Sequence, residues 1–421
     1  MGGVAWKDLR VDAETLSLLL SPEGWALLSA LPPYDEARAM ALSERLRKEG
    51  LDPRLVAGAL TQSRLRAKAH AKFADFAEGM LFTPEGLEQA TRLTVAARHA
   101  RRYQGAGCTR VADITCGIGG DAMAMGALGL DVVACETDEL TAAVATVNLR
   151  HFGATVRHED GLTTDLTGID GVFADPARRT RGGQRRHDPA AYSPPLDAVL
   201  ALRERVPALG VKVGPAIAHT AVPDDAEAQW VSVDGDVVEA GLWFGPLATD
   251  GPGRSALVIR GRDAVAVHGP AERVPAGAVG AYLYEPDGAV IRAGLVSAVA
   301  HEVQGHLLDA TIAYVTADAP VATPLADGYR VLDTMPFNLK RLRAALRERG
   351  VGTLTIKKRG TAVVPDQLRR QLDLKGDATA TIILTRVGGS QQVLLVEPLR
   401  GAGAGAGTGD GAPDDQSPEE P

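Results

Sequence analysis

The residues of this chain best placed to do chemistry are acids and glycines at the ends of short apolar runs. Val111 to Asp121 reads V-A-D-I-T-C-G-I-G-G-D, with Asp113 closing the run and Gly117-Ile118-Gly119-Gly120 following. The Ala-rich stretch from Ala122 to Leu130 has the composition of a helix. Strand, glycine turn and helix in that order bring a nucleotide-like ligand against bare main chain. Glycine serves there because the loop turns sharply and a side chain would hold the ligand away. A second run, D-V-V-A-C-E-T from Asp131 to Thr137, ends in Glu136, about 20 residues past the first glycine, where ribose hydroxyls would be gripped. A third acid, Asp175, stands with Pro176 directly after the apolar run Gly171 to Ala174.

Two cofactor classes use this layout. Gly117-x-Gly119-x-x-Ala122 satisfies the dinucleotide pattern, whereas Asp113 four places before Gly117 gives D-x-x-x-G-x-G, the pattern of S-adenosylmethionine (SAM) methyltransferases. SAM carries an amino-acid tail rather than a pyrophosphate, so polar groups at the strand end must meet it. Glu136 suits either cofactor; Asp113 favours SAM. Methyl transfer from a sulfonium is an in-line displacement that needs no metal and no covalent enzyme intermediate. It needs alignment and exclusion of water. Where the acceptor is an exocyclic base nitrogen, a carboxylate accepting one of its N–H groups holds the amine and favours positive charge on nitrogen. Asp175 is the candidate for that role, with Pro176 stiffening the loop that carries it. The structural alternatives are a glycine turn that serves only packing and an ordinary Asp-Pro turn.

Around these positions the sequence divides by composition. Its 421 residues exceed one ordinary core, so two or three domains are expected. No apolar run reaches the ~20 residues that span a bilayer. The N-terminus has no basic segment followed by a long apolar core, and the three cysteines (Cys108, Cys116, Cys135) fit neither a zinc pattern nor a disulfide scaffold. A cytoplasmic protein with reduced thiols is expected. The net charge of −8 excludes a generic polyanion binder, but local charge is what a nucleic acid feels.

Residues 1–105 read as a helical N-terminal region, with helices expected over Asp35 to Glu49 and from Asp52-Pro53 onward. Its stretch Thr61 to Lys72 carries several cations and no acids, either a solvated face or a strip that meets phosphates. Thr83-Pro84-Glu85 opens a further helix, and the segment through Arg101-Arg102-Tyr103 leads into the glycine-loop strand, from where it would fold over the cofactor mouth. Strands and helices alternate from about 107 to 245, implying a mostly parallel sheet within a cofactor-binding domain over 106–270. Asp160, after the third strand, either faces an adenine amino group or caps the next segment. Residues 180–195, rich in Arg, Gly and Pro, are expected as a loop above the strand ends. An α+β unit follows over 278–398, with a helix capped by Asn338, a strand into Lys357-Lys358-Arg359 and a hairpin across Gly388-Gly389. Cations dominate from Lys340 to Arg370, either a solvated surface or one that faces RNA. Residues 401–421, alternating Gly and Ala before turning acidic, cannot bury enough apolar surface to order themselves.

D-I-T-C-G-I-G-G-D resembles the cofactor motif of trimethylguanosine synthase-type RNA methyltransferases, and the run from Thr91 to Ala100, or Thr83-Pro84-Glu85 before it, resembles their upstream helix. Tyr284 to Asp287 (Y-E-P-D), Ala289 to Gly294 (A-V-I-R-A-G) and Ile356 to Gly360 (I-K-K-R-G) extend the likeness to bacterial class I SAM methyltransferases with a C-terminal THUMP-like domain. The resemblance implies an α/β fold: a Rossmann-like class I methyltransferase sheet, flanked by the helical region and the α+β THUMP-like domain. It implies SAM as cofactor, with Asp113, Gly117, Gly119 and Asp121 near its amino-acid end and Glu136 on its ribose. Thr91, Cys116, Gly120, Thr137 and Asp160 complete the candidate cofactor set. True THUMP domains grip structured RNA, which makes RNA the implied partner and Lys357, Lys358 and Arg359 its candidate contacts. Amino-methylating families place Pro and then an aromatic after the D-P pair; here Ala177 and Arg178 stand there. A guanidinium can also stack on a base or hold a phosphate, which makes Arg178 the third candidate at the acceptor. A small-molecule methyltransferase, and a SAM-holding RNA binder without catalysis, remain the alternatives.

Overall fold

The computed structural model describes residues 12–177 and 191–399, so Arg178, most of the 180–195 segment and the tail over 401–421 lie outside the described residues. The chain divides into two compact units, Met1–Glu227 with Gly241–Pro252, and Ala228–Ala240 with Gly253–Pro421.

The first unit opens with helices α1 (Ala13–Leu20), α2 (Pro22–Ala30), α3 (Ala39–Lys48), α4 (Pro53–Phe73), α5 (Pro84–Gln89) and α6 (Leu93–Gly105). Caps fix their starts. Asp52 accepts from the Arg54 and Leu55 N–H groups ahead of Pro53, and Thr83 accepts from Gly86 ahead of Pro84. α3 begins later than the sequence suggests because Asp35 turns back onto the Ala37 N–H, 2.9 Å away. α4 runs unbroken for 21 residues through the cationic stretch. No helix among the described residues is long and apolar enough to cross a membrane.

Alternating elements follow: β1 (Arg110–Asp113), α7 (Gly120–Ala127), β2 (Asp131–Glu136), α8 (Glu139–Leu149), β3 (Ala154–His158), β4 (Gly171–Ala174), α9 (Leu196–Leu200) and β5 (Leu209–Val213). The strands lie parallel in the order β3-β2-β1-β4-β5. The chain leaves β1 in one direction for β2 and β3 and returns on its other side at β4, so a crevice opens between the carboxyl ends of β1 and β4. The apolar runs become these strands because both faces are covered. Val111, Val132 and Phe173 join Phe73, Phe82 and Tyr103 from the helical region in one core.

Strands β6 (Glu227–Val233), β7 (Asp236–Trp243), β8 (Gly253–Arg260) and β9 (Asp263–Gly269) come next. The second unit then builds a seven-stranded sheet from β10 (Tyr282–Pro286), β11 (His306–Asp309), β12 (Ile312–Ala317), β13 (Ala326–Pro336), β14 (Val351–Lys358), β15 (Ala378–Val387) and β16 (Ser390–Pro398). Between them lie α10 (Gly288–Arg292), α11 (Val296–Glu302), α12 (Leu339–Glu348) and α13 (Pro365–Leu372). Its strand order is β11-β12-β10-β13-β16-β15-β14. Leu342, Leu346, Leu368 and Leu372 of α12 and α13 pack on one face of the sheet; Leu283, Ile312, Tyr314 and Tyr329 belong to the core of the other. The β15–β16 turn needs left-handed backbone at Gly388 and Gly389, with φ of 54° and 81°. The architecture is α/β, with strands and helices again in the C-terminal part.

Candidate active site

Asp113 ends β1 with 1% of its surface exposed. Burial raises its carboxyl well above the ordinary range, and nearby Asp121, Asp175 and Glu136 push it further; an N–H from Thr115 opposes them. Thr115 donates that bond at 3.3 Å, and its own hydroxyl accepts the Asp175 N–H at 2.6 Å. The glycine loop after β1 and the loop after β4 are therefore tied together by one side chain.

Within the glycine loop, Gly117 (φ 54°) and Gly119 (φ 91°) both adopt left-handed backbone, for different reasons. At Gly119 a Cβ would meet Leu149 at 2.9 Å, whereas at Gly117 it would meet nothing within 4 Å. Gly119 is required by packing; Gly117 leaves open space beside the main chain. Gly120 starts α7 against Phe73 and the Thr91 carbonyl. Cys116 is buried, its N–H bonded to the Cys135 carbonyl at 2.9 Å, and burial beside Asp113 raises its thiol well above the usual range. Glu136, at the end of β2, accepts the Gly117 N–H at 3.1 Å and the Asp138 N–H at 2.8 Å, with the Thr137 hydroxyl at 3.4 Å. Asp160 accepts the Leu162 N–H at 3.0 Å and so caps its own turn. The adjacent Gly161 sits so close to the end of β1 that a Cβ would lie 2.2 Å from the Ile114 carbonyl oxygen.

Several residues here went unmarked in the sequence. His99 of α6 meets Asp121 through Nδ1 at 2.8 Å, its ring packed between Phe173 and Trp243. Burial would raise Asp121, but His99, the charge of Lys212 and the Thr91 hydroxyl together bring it below its ordinary value. Lys212, on β5, is 5% exposed, places its Nζ on the Asp175 carboxylate and donates to Thr91 Oγ1 at 2.8 Å. Asn148 of α8 accepts the Leu81 N–H at 2.8 Å and donates to the carbonyls of Leu81 and Ile118. Gln62 of α4 exchanges two hydrogen bonds with the Phe82 main chain, at 2.8 and 2.9 Å. A Cβ on Gly86 would meet Ile118 at 2.4 Å, so α5 lies directly on the glycine loop.

The cations of α4 do not form a free strip. Arg66 donates to the Met80 carbonyl at 2.9 Å, and Lys72 donates to the carbonyls of Leu87, Glu88 and Ala90. Burial, with Lys212 and Arg92 nearby, lowers Lys72 to about 8. In the second unit Lys357, Lys358 and Arg359 do not form one continuous exposed strip. Strand alternation turns Lys357 and Arg359 inward, where they pair with Glu285 at 2.7 and 3.8 Å over the rings of Tyr329 and Tyr314. Only Lys358 of the three is exposed. The Y-E-P-D and I-K-K-R-G segments thus meet through Glu285 and Lys357. Arg178 lies outside the described residues.

The sequence of this chain is 34% identical over 339 residues to an uncharacterized S-adenosylmethionine-dependent methyltransferase of Mycobacterium tuberculosis (strain ATCC 25618 / H37Rv), aligning 77% of this chain and 91% of that protein. It belongs to the S-adenosylmethionine-dependent methyltransferases. The same figures hold for the counterpart in M. tuberculosis strain CDC 1551 / Oshkosh. A crystal structure described as a candidate methyltransferase from Porphyromonas gingivalis W83 has the same fold, with a TM-score of 0.68 at 19% identity, covering 87% of this chain and 99% of that chain. The THUMP domain-like family matches residues 326–398, and a domain of unknown function matches residues 12–69. The methyltransferase takes SAM as its methyl donor, and the residues at the β1–β4 crevice suit it. The open space at Gly117 admits a ligand to the main chain, and a cationic ligand offsets the negative charge that Asp121 and Glu136 place beside buried Asp113.

Proposed function

We propose that the methyltransferase acts on RNA, at an exocyclic base nitrogen, with Asp175 accepting an N–H of the amine. The observation that carries this reading is the Thr115 bridge, which sets the Asp175 main chain beside the loop of Gly117. SAM, when bound, supplies an electrophilic methyl group. Asp113, Gly117, Gly119 and Asp121 then lie toward its amino-acid end, with Glu136 on the ribose and Asp160 beside the adenine. Asp175 and Pro176 hold the acceptor, and Arg178 stacks on the target base or holds its phosphate.

RNA as partner rests on the THUMP-like match and on the exposed cations Lys340, Arg341, Lys358 and Arg370 on and around α12, β14 and α13. The reading assigns residues 1–105, 106–270 and 278–398 to guiding, transfer and substrate delivery. A cytoplasmic location accords with three buried cysteines that form no disulfide.

The test is incubation with radiolabelled SAM and separated cellular RNA, protein and metabolite fractions. Label enters RNA with the natural sequence and is lost in Asp175→Ala, whose SAM affinity stays unchanged. Label confined to protein or metabolites overturns the RNA assignment, and full activity in Asp175→Ala overturns the role of that residue.

A further inference from the structure

Lys212 is an amine in the middle of a buried strand, between Val211 and Val213. Such a charge is costly unless partnered, and truncating its side chain leaves the partner charged and alone. Its Nζ touches the Asp175 carboxylate and donates to Thr91 Oγ1. Thr91 is itself anchored, because Lys72 holds the carbonyls just before it. The Asp175 side chain is therefore gripped by an ammonium while its N–H is gripped by Thr115. Among the described residues, the charged groups facing this pair include Lys72 from α4 (with Glu88 and Arg92 beside it), Asp113 from β1 and Asp121 from α7.

We propose that Lys212 is a positioning residue for methyl transfer: its ammonium keeps the Asp175 carboxylate ionised and aimed, so that Asp175 meets the attacking amine as a hydrogen-bond acceptor. The inference rests on the reading of Asp175 given above. In the step it serves, the acceptor nitrogen lone pair forms the N–C bond as the S–C bond breaks. The S–C electrons stay on sulfur as a neutral thioether. The alkylated nitrogen, now cationic, passes the proton it already shares with Asp175 to that carboxylate, which gives it up to solvent as product leaves.

The test uses the full chain with 13C-labelled aspartate, and Asp175→Asn to identify the carboxyl signal. Lys212→Met raises the Asp175 titration midpoint by about one pH unit or more, and Lys212→Arg leaves it near that of the natural sequence. Methyl transfer from radiolabelled SAM into whole cell extract then gains an acid limb in Lys212→Met. Its rate falls about tenfold for each pH unit below the new midpoint, while Lys212→Arg keeps the original profile. Thr91→Val keeps the charge but loses the hydroxyl that orients it, and gives a smaller upward shift should the Met variant not fold. An unchanged midpoint in Lys212→Met, or in Thr91→Val should the Met variant not fold, or a Lys212→Met rate lowered equally at every pH, overturns the proposal. Label in a fraction other than RNA sinks the substrate reading alone, since the pH profile is read on whichever fraction accepts it.

Discussion

Replacing Asn148 by Ala tests how the helical region and the glycine loop are held together. The side chain is 2% exposed and serves three main-chain groups: the N–H and carbonyl of Leu81 and the carbonyl of Ile118. Alanine leaves all three buried without a partner. Each orphaned group costs about 1–3 kcal/mol, so three give roughly 3–9 kcal/mol before relaxation. Local movement and entry of water reduce this, and we expect about 3–5 kcal/mol, in the range where point mutations are exceptional. With domain stabilities of about 5–15 kcal/mol, the variant lies near the limit of folding at 37 °C. Urea unfolding should show the midpoint falling with an unchanged slope, since the surface exposed on unfolding is the same. SAM affinity measured by calorimetry should fall about tenfold, because Ile118 lies between Gly117 and Gly119 and loses its tether; tenfold corresponds to about 1.4 kcal/mol. A stability loss under about 1 kcal/mol would show that the three bonds are replaceable and that this anchor is not what fixes the loop.

Three further outcomes are expected. Glu136→Ala should weaken SAM binding by about 1–3 kcal/mol, since it removes a carboxylate from the cofactor edge and frees the Gly117 N–H it holds; unaltered calorimetric affinity would reject that assignment. Gly161→Ala forces a Cβ to 2.2 Å from a backbone oxygen, so the turn after β3 must move. Stability should drop by about 1–3 kcal/mol, and an unshifted melting curve would refute the close approach. His99→Phe keeps the aromatic packing but strips Asp121 of its partner. Because Asp121 is depressed in the folded state, its stabilisation is fully present above the ordinary aspartate value of 3.8 and is lost as pH falls through the folded value. The stability gap between natural sequence and variant should therefore be widest near neutral pH and close toward acid. A gap that stays constant down to pH 3 would show that His99 acts through packing alone.

Much of the first unit was legible because its signals are local. Asp113, Glu136 and Asp175 each end an apolar run, and the run lengths match β1, β2 and β4. Thr83-Pro84 and Asn338 cap helices where the sequence places them. His99, Asn148 and Lys212 were not legible, since each is one polar residue inside a helix or strand whose partner is 22, 67 or 121 positions away. A lysine flanked by valines in an apolar strand was the available signal for Lys212. The partners of the two basic stretches were not legible for a shared reason: charge in a sequence says nothing about which carbonyl or carboxylate will meet it. At the end of β14 the period of two turns Lys357, and Arg359 just beyond the strand, toward Glu285 and leaves Lys358 exposed.

The meeting of Glu285 with Lys357 has a consequence for how the C-terminal module is dissected. β10 and β14 are separated in the sheet by β13, β16 and β15, a span of about 19 Å if flat. A 2.7 Å contact between their side chains requires the sheet to roll, and the Gly389 N–H on Asp309 pins the same roll at its rim. The region matched by the THUMP-like family, 326–398, begins after β10, β11 and β12. A fragment cut at that boundary would strand Lys357 and Arg359 beside two tyrosines without their shared counter-ion. The self-sufficient folding piece therefore begins upstream of Tyr282, and the matched segment is the larger part of a rolled sheet that it does not close alone.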